Sequence, residues 1–359
     1  MKRTSSAAQA RDITRPAFTI TVDGTPLPIE VALQVSRITV DEDVGLPSMF
    51  SVELAGGDTN NETVWIDGNT FPIGAAVEIK MGYGNTLQTL IAAEITGIEP
   101  VFTSGVRPSL TVRGHDRRHR LLRVRKTRSF VQQKDSDIAA TLAAEAGLTA
   151  QTEDSQVVHD YVLQANQTNM EFLQERARRI EYEIVIEGKT LYFRPVQNAQ
   201  GEVLTLTPED DLLEFYPRLS TLGQSSEIEL RGWNPKDKKE IVAKAKKGDE
   251  VSTMGGKDSG AALAENAFGA ATVLLSDVPV FAQAEADQLV RACFNRSVLG
   301  LISGDGVCSG RTDLRPGQVI KIDGVGKRFS GQYYVTATSH RYTAHHDYQT
   351  HFVVRRNAT

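Results

Sequence analysis

Cysteine is almost missing: 359 residues hold only Cys293 and Cys308, too few for a disulfide framework or for the four thiolates of a structural zinc site. No stretch of about 18 apolar residues runs without a charge, so no transmembrane helix is expected. Neither sign of charge dominates. With 45 acidic against 40 basic residues the net charge is -5, and no global field draws the chain to nucleic acid or an anionic membrane. Met1 to Asp12 lacks an apolar core segment and reads as a frayed tail rather than a signal peptide. Synthesis in the cytosol, as a soluble chain, is expected.

The motifs of common chemistries are lacking too. Gly82-Tyr83-Gly84 and Gly324-Val325-Gly326 have no third glycine and open no helix that could hold a pyrophosphate, so they read as turns. Gly256-Lys257 and Gly326-Lys327 lack the upstream glycine and the following Ser or Thr of a phosphate-cradling loop. No Gly-x-Ser-x-Gly elbow occurs, and Cys293 lies on the apolar stripe of an expected helix, where a thiol behaves as a small hydrophobe. No pair of carboxylates can be given acid and base roles. No catalytic residue, cofactor site or cofactor is therefore expected.

Histidine is concentrated at the C-terminal end: His340, His345, His346 and His351. If Ala344 to Asp347 makes a hairpin turn, His340 and His351 face each other and could share a metal ion. Without a third ligand the plainer reading is two strand residues beside a polar turn, and no metal site is assigned.

What is present is ordinary globular composition, 40% apolar and 24% charged, in a length that accommodates two or three domains. From Phe18 to Gly114 the apolar residues alternate, as in Phe18, Ile20, Val22 and Val77, Ile79, Met81, which predicts an antiparallel β-domain. Helical spacing follows: Asp135 as N-cap with Ile138, Leu142 and Ala146, and a second helix at Thr168, whose hydroxyl and Glu171 form a capping box. Ile184 to Arg194 reads as a hairpin turning at Gly188 and Lys189. Strands are expected at Val203 to Thr207 and Glu227 to Trp233. Asn234 and Pro235 then open a Lys-rich helix, with Ile241, Val242 and Ala245 inward, before a loop from Gly248 to Gly260 and a helix from Ala282 to Val298. Strands resume from Leu299 to Arg356.

Two stretches echo each other. Gly74 to Gly82 matches Gly317 to Gly324, Ile95-Thr96-Gly97-Ile98 matches Val335-Thr336-Ala337-Thr338, and Leu110 to Arg113 matches Phe352 to Arg355, at intervals differing by two residues. A duplicated barrel would produce this spelling, and so would two unrelated antiparallel meanders.

The sharpest local anomaly is basic. Between Arg107 and Arg128 the only acid is Asp116, while Arg113, Arg117, Arg118, Arg120, Arg123, Arg125, Lys126 and Arg128 could meet phosphates. No aromatic residue interleaves them, so stacking on single strands is poorly supported. Docking onto acidic stretches such as Asp41 to Asp43 or Glu209 to Asp211 of a neighbouring subunit is the favoured use, and these eight residues are the expected subunit interface.

Several phrases resemble the phage late control gene D and VgrG-like baseplate hub family. They are Ala92-Ala93-Glu94-Ile95-Thr96-Gly97-Ile98-Glu99-Pro100, Leu110 to Asp116, Gln167 to Glu183, Arg231-Gly232-Trp233-Asn234-Pro235, Leu314-Arg315-Pro316-Gly317, Phe329 to His340, and Tyr348-Gln349-Thr350. The resemblance covers nearly the whole chain, about Ile13 to Arg356. The resemblance implies a mainly β fold with α/β insertions: two tail-tube-like antiparallel β-barrels, a small α/β domain and a helical insertion. The expected division is a tail over 1–16, a first barrel over 17–115, the α/β domain over 116–199, a second barrel from 200–234 and 299–359, and the insertion over 235–298.

It also implies a homotrimer whose six barrels form a ring, seating a hexameric inner tube on one side and a trimeric spike on the other. Baseplate wedge proteins and cargo are further expected partners, in a phage tail or an extracellular contractile particle. Hub relatives fused to a spike continue beyond the point where this chain stops at Thr359, so either a separate spike protein or a chain cut short of its spike domain is expected. A nucleic-acid-binding protein acting through residues 107–128, and a tail-associated cell-wall hydrolase, are the alternatives.

Overall fold

The computed structural model describes residues 15–55, 68–104, 106–344 and 347–359. The expected tail thus lies outside the described residues up to residue 14, as do His345 and His346, and Pro16 already opens a strand. The first part of the chain forms β1 (Pro16–Val22), β2 (Thr25–Pro26), the short helix α1 (Ile29–Ala32), β3 (Val35–Asp43), β4 (Met49–Ala55), β5 (Ala76–Tyr83), β6 (Thr86–Thr103) and β7 (Val106–His115). A 3-10 turn, Arg117–Leu122, leads into β8 (Arg125–Lys134), α2 (Asp135–Glu145), β9 (Thr149–Thr152), β10 (Val158–Thr168), α3 (Asn169–Arg179), β11 (Tyr182–Glu187) and β12 (Thr190–Pro195). There follow β13 (Thr205–Leu206), β14 (Leu212–Leu219), β15 (Glu227–Asn234), β16 (Lys239–Lys246), α4 (Gly260–Phe268), β17 (Thr272–Leu275) and α5 (Gln283–Val298). The last strands are β18 (Ile302–Ser309), β19 (Val319–Ile322), β20 (Gly331–Thr343) and β21 (Asp347–Arg356).

The fold is mainly antiparallel β with α/β insertions. Alternation decides the strands: in β3, Ile38 and Val40 turn inward while Arg37 and Thr39 do not, and β4 buries Phe50, Val52 and Leu54 in the same rhythm. These side chains join Ile79, Met81, Ile95 and Val112 in one apolar core. A second core, with Leu206, Ile302, Ile320, Val335, Phe352 and Val354, lies under the C-terminal strands. Each such fully buried side chain contributes about 1.5–3 kcal/mol. The α/β unit and the segment from β15 to α5 carry separate cores of their own. Among the described residues no helix is long and apolar enough to cross a membrane.

Local chemistry accounts for the helices. Thr168 Oγ1 accepts from the Glu171 amide at 3.1 Å while Glu171 Oε2 accepts from the Thr168 amide at 2.9 Å, the reciprocal box read from the sequence. Asp135, expected to cap α2, is instead its first residue. Its carboxylate accepts from Arg176 at 2.5 Å and lies 3.2 Å from His159.

The Lys-rich helix is a strand. In β16, Ile241, Ala243 and Ala245 alternate inward while Val242 and the lysines face out, a period of two that the lysines disguised. Asn234 Oδ1 accepts from the amides of Lys236 and Asp237, and Lys238 adopts φ +53, so the chain reverses and β16 pairs antiparallel with β15. Strand β15, read from the sequence as part of the second barrel, pairs with β16 and β17 in a three-stranded sheet that contacts α5.

The two β-lobes repeat one another strand for strand. The first runs β3-β4-β7-β6-β5 and the second β14-β18-β21-β20-β19, with every neighbour antiparallel. The β6–β7 ladder skips Thr96, pairing Ile95 with Gly114 and Gly97 with Arg113. The β20–β21 ladder skips Thr336, pairing Val335 with Val354 and Ala337 with Val353. A second bulge repeats as well: Ser36 is skipped between β3 and β4, and Leu213 between β14 and β18. Gly74, at φ +87, donates its amide to Ile95 O at 2.8 Å, and Gly317, at φ +85, donates to Val335 O at 2.9 Å.

These pairings set Val112 against Phe352 and Leu110 against Thr350, so the spacing difference of two residues in the sequence echo vanishes. The outermost partner differs: β1 pairs antiparallel with β5, whereas β13 pairs parallel with β19.

Candidate assembly interface

The two lobes are joined edge to edge. Strand β20 pairs antiparallel with β3, from Ala337 opposite Asp43 to Thr343 opposite Arg37. Arg315 clamps this seam, donating to Glu42 Oε1 at 2.6 Å and to the carbonyls of Leu90 and Thr89 at 2.6 and 3.2 Å. Burial pushes the Glu42 carboxyl up, against the pull of Arg315. Two further edges have no ladder partner among the described residues: β14 on the side away from β18, and β6 beyond Ile95 on the side away from β7.

The basic run lies between the first lobe and the α/β unit, and most of its charge is answered within the chain. Arg113 pairs with Glu99 at 2.8 Å. Arg117, His119 and Arg120 surround the buried Glu94 at 3.4, 2.9 and 2.5 Å. Burial would raise the Glu94 carboxyl, but the hydrogen bonds of Arg120 and His119 outweigh it and hold the group below its ordinary value.

Arg118 is itself buried. It binds Asp116 at 2.7 Å and Ser48 Oγ at 2.8 Å, and it reaches the carbonyls of Asp43 and Ile184, which ties the first lobe to the α/β unit. Arg125 pairs with Glu171, and Lys126 and Arg128 share Glu145. The hydrogen bond from Arg128, with that from Lys126, lowers the Glu145 carboxyl to about 2.

Only Arg123 of the eight has no hydrogen bond or ion pair among the described residues. It lines an open cleft of about 1090 Å³ with Arg120, Lys126 and Glu145. Sequence reasoning missed most of these pairings because Glu94, Glu99, Glu145 and Glu171 lie outside the run. The acidic stretches are likewise engaged: Glu42 holds Arg315, and Asp211 holds Arg311 at 2.5 Å.

The histidine pair is not brought together. The β20–β21 register sets His340 opposite Thr350 and Ser339 opposite His351, one residue from the expected pairing, so the two imidazoles point to opposite faces. His340 is fully buried, with Nδ1 near Tyr348 Oη and Thr350 Oγ1, and burial depresses it to about 3. No cluster of three metal-ligating side chains occurs among the described residues.

The family model described as Alg8 N-terminal domain matches residues 12–344. The chain belongs to that family. No curated protein matches it.

Among solved structures, this Alg8 N-terminal domain chain is similar to the prophage MuSo2 43 kDa tail protein of Shewanella oneidensis. The TM-score is 0.70 at 11% identity, covering 95% of this chain and 98% of that one. The E. coli c3393 protein, described as a type VI secretion component structurally similar to the T4 tail proteins gp27 and gp5, has a TM-score of 0.62 at 13% identity. Coverage there is 94% of this chain and 77% of that one. A chain of the Francisella PdpA-VgrG complex gives 0.54 at 9% identity, over 97% of this chain and 54% of that one. At such identities the likeness establishes the fold alone: the domain shares the fold of phage tail and type VI secretion proteins.

Proposed function

We propose that the protein is the structural hub of a contractile injection system or phage tail, related to the late control gene D and VgrG-like hubs. Three chains form a ring of six similar β-lobes, joining a hexameric inner tube to a trimeric spike. One observation carries this reading: the five-stranded sheet, with two of its bulges at corresponding points, occurs twice in one chain. Two equivalent lobes per subunit allow a threefold assembly to present sixfold geometry to one partner and threefold geometry to the other.

The tail and secretion folds of the similar structures support the same role. A hub works mechanically: it holds the ring closed while tube and spike travel together, and it needs no cofactor or catalytic residue. Its place is in an assembled particle, with wedge proteins and cargo as further neighbours.

The nucleic-acid reading loses its basis when Glu94, Glu99, Glu145, Glu171 and Asp116 answer the basic run from within. Subunit contact by that run then falls mainly to Arg123. Equilibrium sedimentation, alone and with tube and spike proteins, is the test. A mass of three chains is expected, and a monomer under both conditions overturns the proposal.

A further inference from the structure

We propose that the free edge of β6 pairs with the free edge of β14 from a second copy of this chain, in the register that the β3–β20 seam already displays. This deepens the hub reading and rests on it. The repeat makes β14 the counterpart of β3, since Val40 opposite Phe50 corresponds to Pro217 opposite Gly304. It makes β6 the counterpart of β20, since Ile98 opposite Val112 corresponds to Thr338 opposite Phe352. Within the chain, β3 and β20 are paired, while β14 and the far half of β6 are not. Each chain therefore carries one free copy of each side of the seam. A contact between unlike edges is head-to-tail and closes into a ring when the rotation permits.

Carrying the seam's register across sets Ile98 opposite Leu219 of the next copy, Glu99 opposite Arg218, Pro100 opposite Pro217 and Val101 opposite Tyr216. The chemistry of these pairs is complementary. Glu99, which already holds Arg113 of its own lobe at 2.8 Å, meets Arg218, which makes no ion pair among the described residues. Ile98 and Leu219, each half-buried at the margin of its own core, come together. Val101 and Tyr216, both more than half exposed in the single chain, come side by side.

The prolines fit an edge. In the seam, Val44 donates to Thr336 O at 3.1 Å and Ala344 donates to Ser36 O at 2.9 Å, so the even-numbered residues of β3 turn their backbone groups toward β20. By the same alternation Pro100 and Pro217 direct their missing N–H outward, away from the ladders they already join. Facing each other across the junction, they forgo both hydrogen bonds of that one rung. In a lone chain they blunt both edges against stray pairing.

Glu99 and Arg218 would form a non-hydrogen-bonded pair, whose Cα separation of about 4.5 Å is within reach of a disulfide. The test is oxidation of the Glu99→Cys, Arg218→Cys variant of the full chain, beside each single variant and the shifted pair Glu99→Cys, Tyr216→Cys, with sedimentation of each. Covalent trimer from the first variant alone is expected. Trimers by sedimentation with no cross-link, or a stronger cross-link from the shifted pair, overturn this junction and leave the hub reading standing. Unmutated chain that stays monomeric in the presence of tube and spike proteins overturns both.

Discussion

Thr96 and Thr336 stand at the same bulge of two copies of one sheet. Each is the residue left unpaired where β6 crosses β7 and where β20 crosses β21, and the residues on either side, Ile95 with Gly97 and Val335 with Ala337, keep matching partners. A bulge fixes both twist and register, so its repetition at corresponding points is a stronger mark of duplication than alternating apolar residues. The lobes differ in side chains while sharing this backbone plan.

One prediction concerns how an aromatic ring substitutes for a side chain across the second lobe. Gly306 lies opposite Phe352, and a Cβ at Gly306 would come within 2.3 Å of the ring. Gly306→Ala is expected to cost about 1–3 kcal/mol of stability. Phe352→Leu in the same chain should restore part of it, giving a favourable coupling in a double-mutant cycle. Additive losses in urea unfolding would contradict the packing account.

A second prediction concerns Arg118, buried with Asp116 between the first lobe and the α/β unit. Arg118→Ala leaves that carboxylate without its cation and strips the Ser48 hydroxyl of a donor, a loss of about 3–5 kcal/mol. The pair Arg118→Met with Asp116→Asn should lose less than Arg118→Ala alone. Chemical denaturation checks the order, and a larger loss from the double change would contradict it.

A third prediction is a pH dependence. Burial lifts the Glu181 carboxyl from 4.5 to about 7, although Asn295 Nδ2 donates to it at 2.9 Å. The folded protein therefore holds a proton that the unfolded chain releases at lower pH. This contribution is full below the unfolded value and is lost as the pH rises through about 7. Glu181→Gln should leave stability at pH near 4 unchanged and raise it by roughly 1–3 kcal/mol near pH 8. Equal melting shifts at the two pH values would contradict this origin.

Much of the fold was legible because it rests on short-range rules. The alternation of Val77, Ile79 and Met81, the Thr168–Glu171 box and the Gly188 turn each depend on residues a few positions apart. The Lys-rich strand was misread because Asn234 and Pro235 serve a hairpin turn as readily as a helix start, and only pairing with β15 decides between them. The His340 register failed by one residue because β20 and β21 pair Thr343 with Asp347, which sets His340 opposite Thr350 rather than His351.

The basic run was visible as composition, but its partners Glu94, Glu99, Glu145 and Glu171 reach it only through tertiary structure. The free edges of β6 and β14 were legible only once the duplicated sheet showed which seam they lack.

Electron microscopy of the purified assembly tests the central claim most directly. The account predicts a closed threefold ring with six similar lobes at equal spacing around a channel, alternate boundaries falling within and between chains. Particles with three lobes, or with six lobes contributed by six chains, would contradict it.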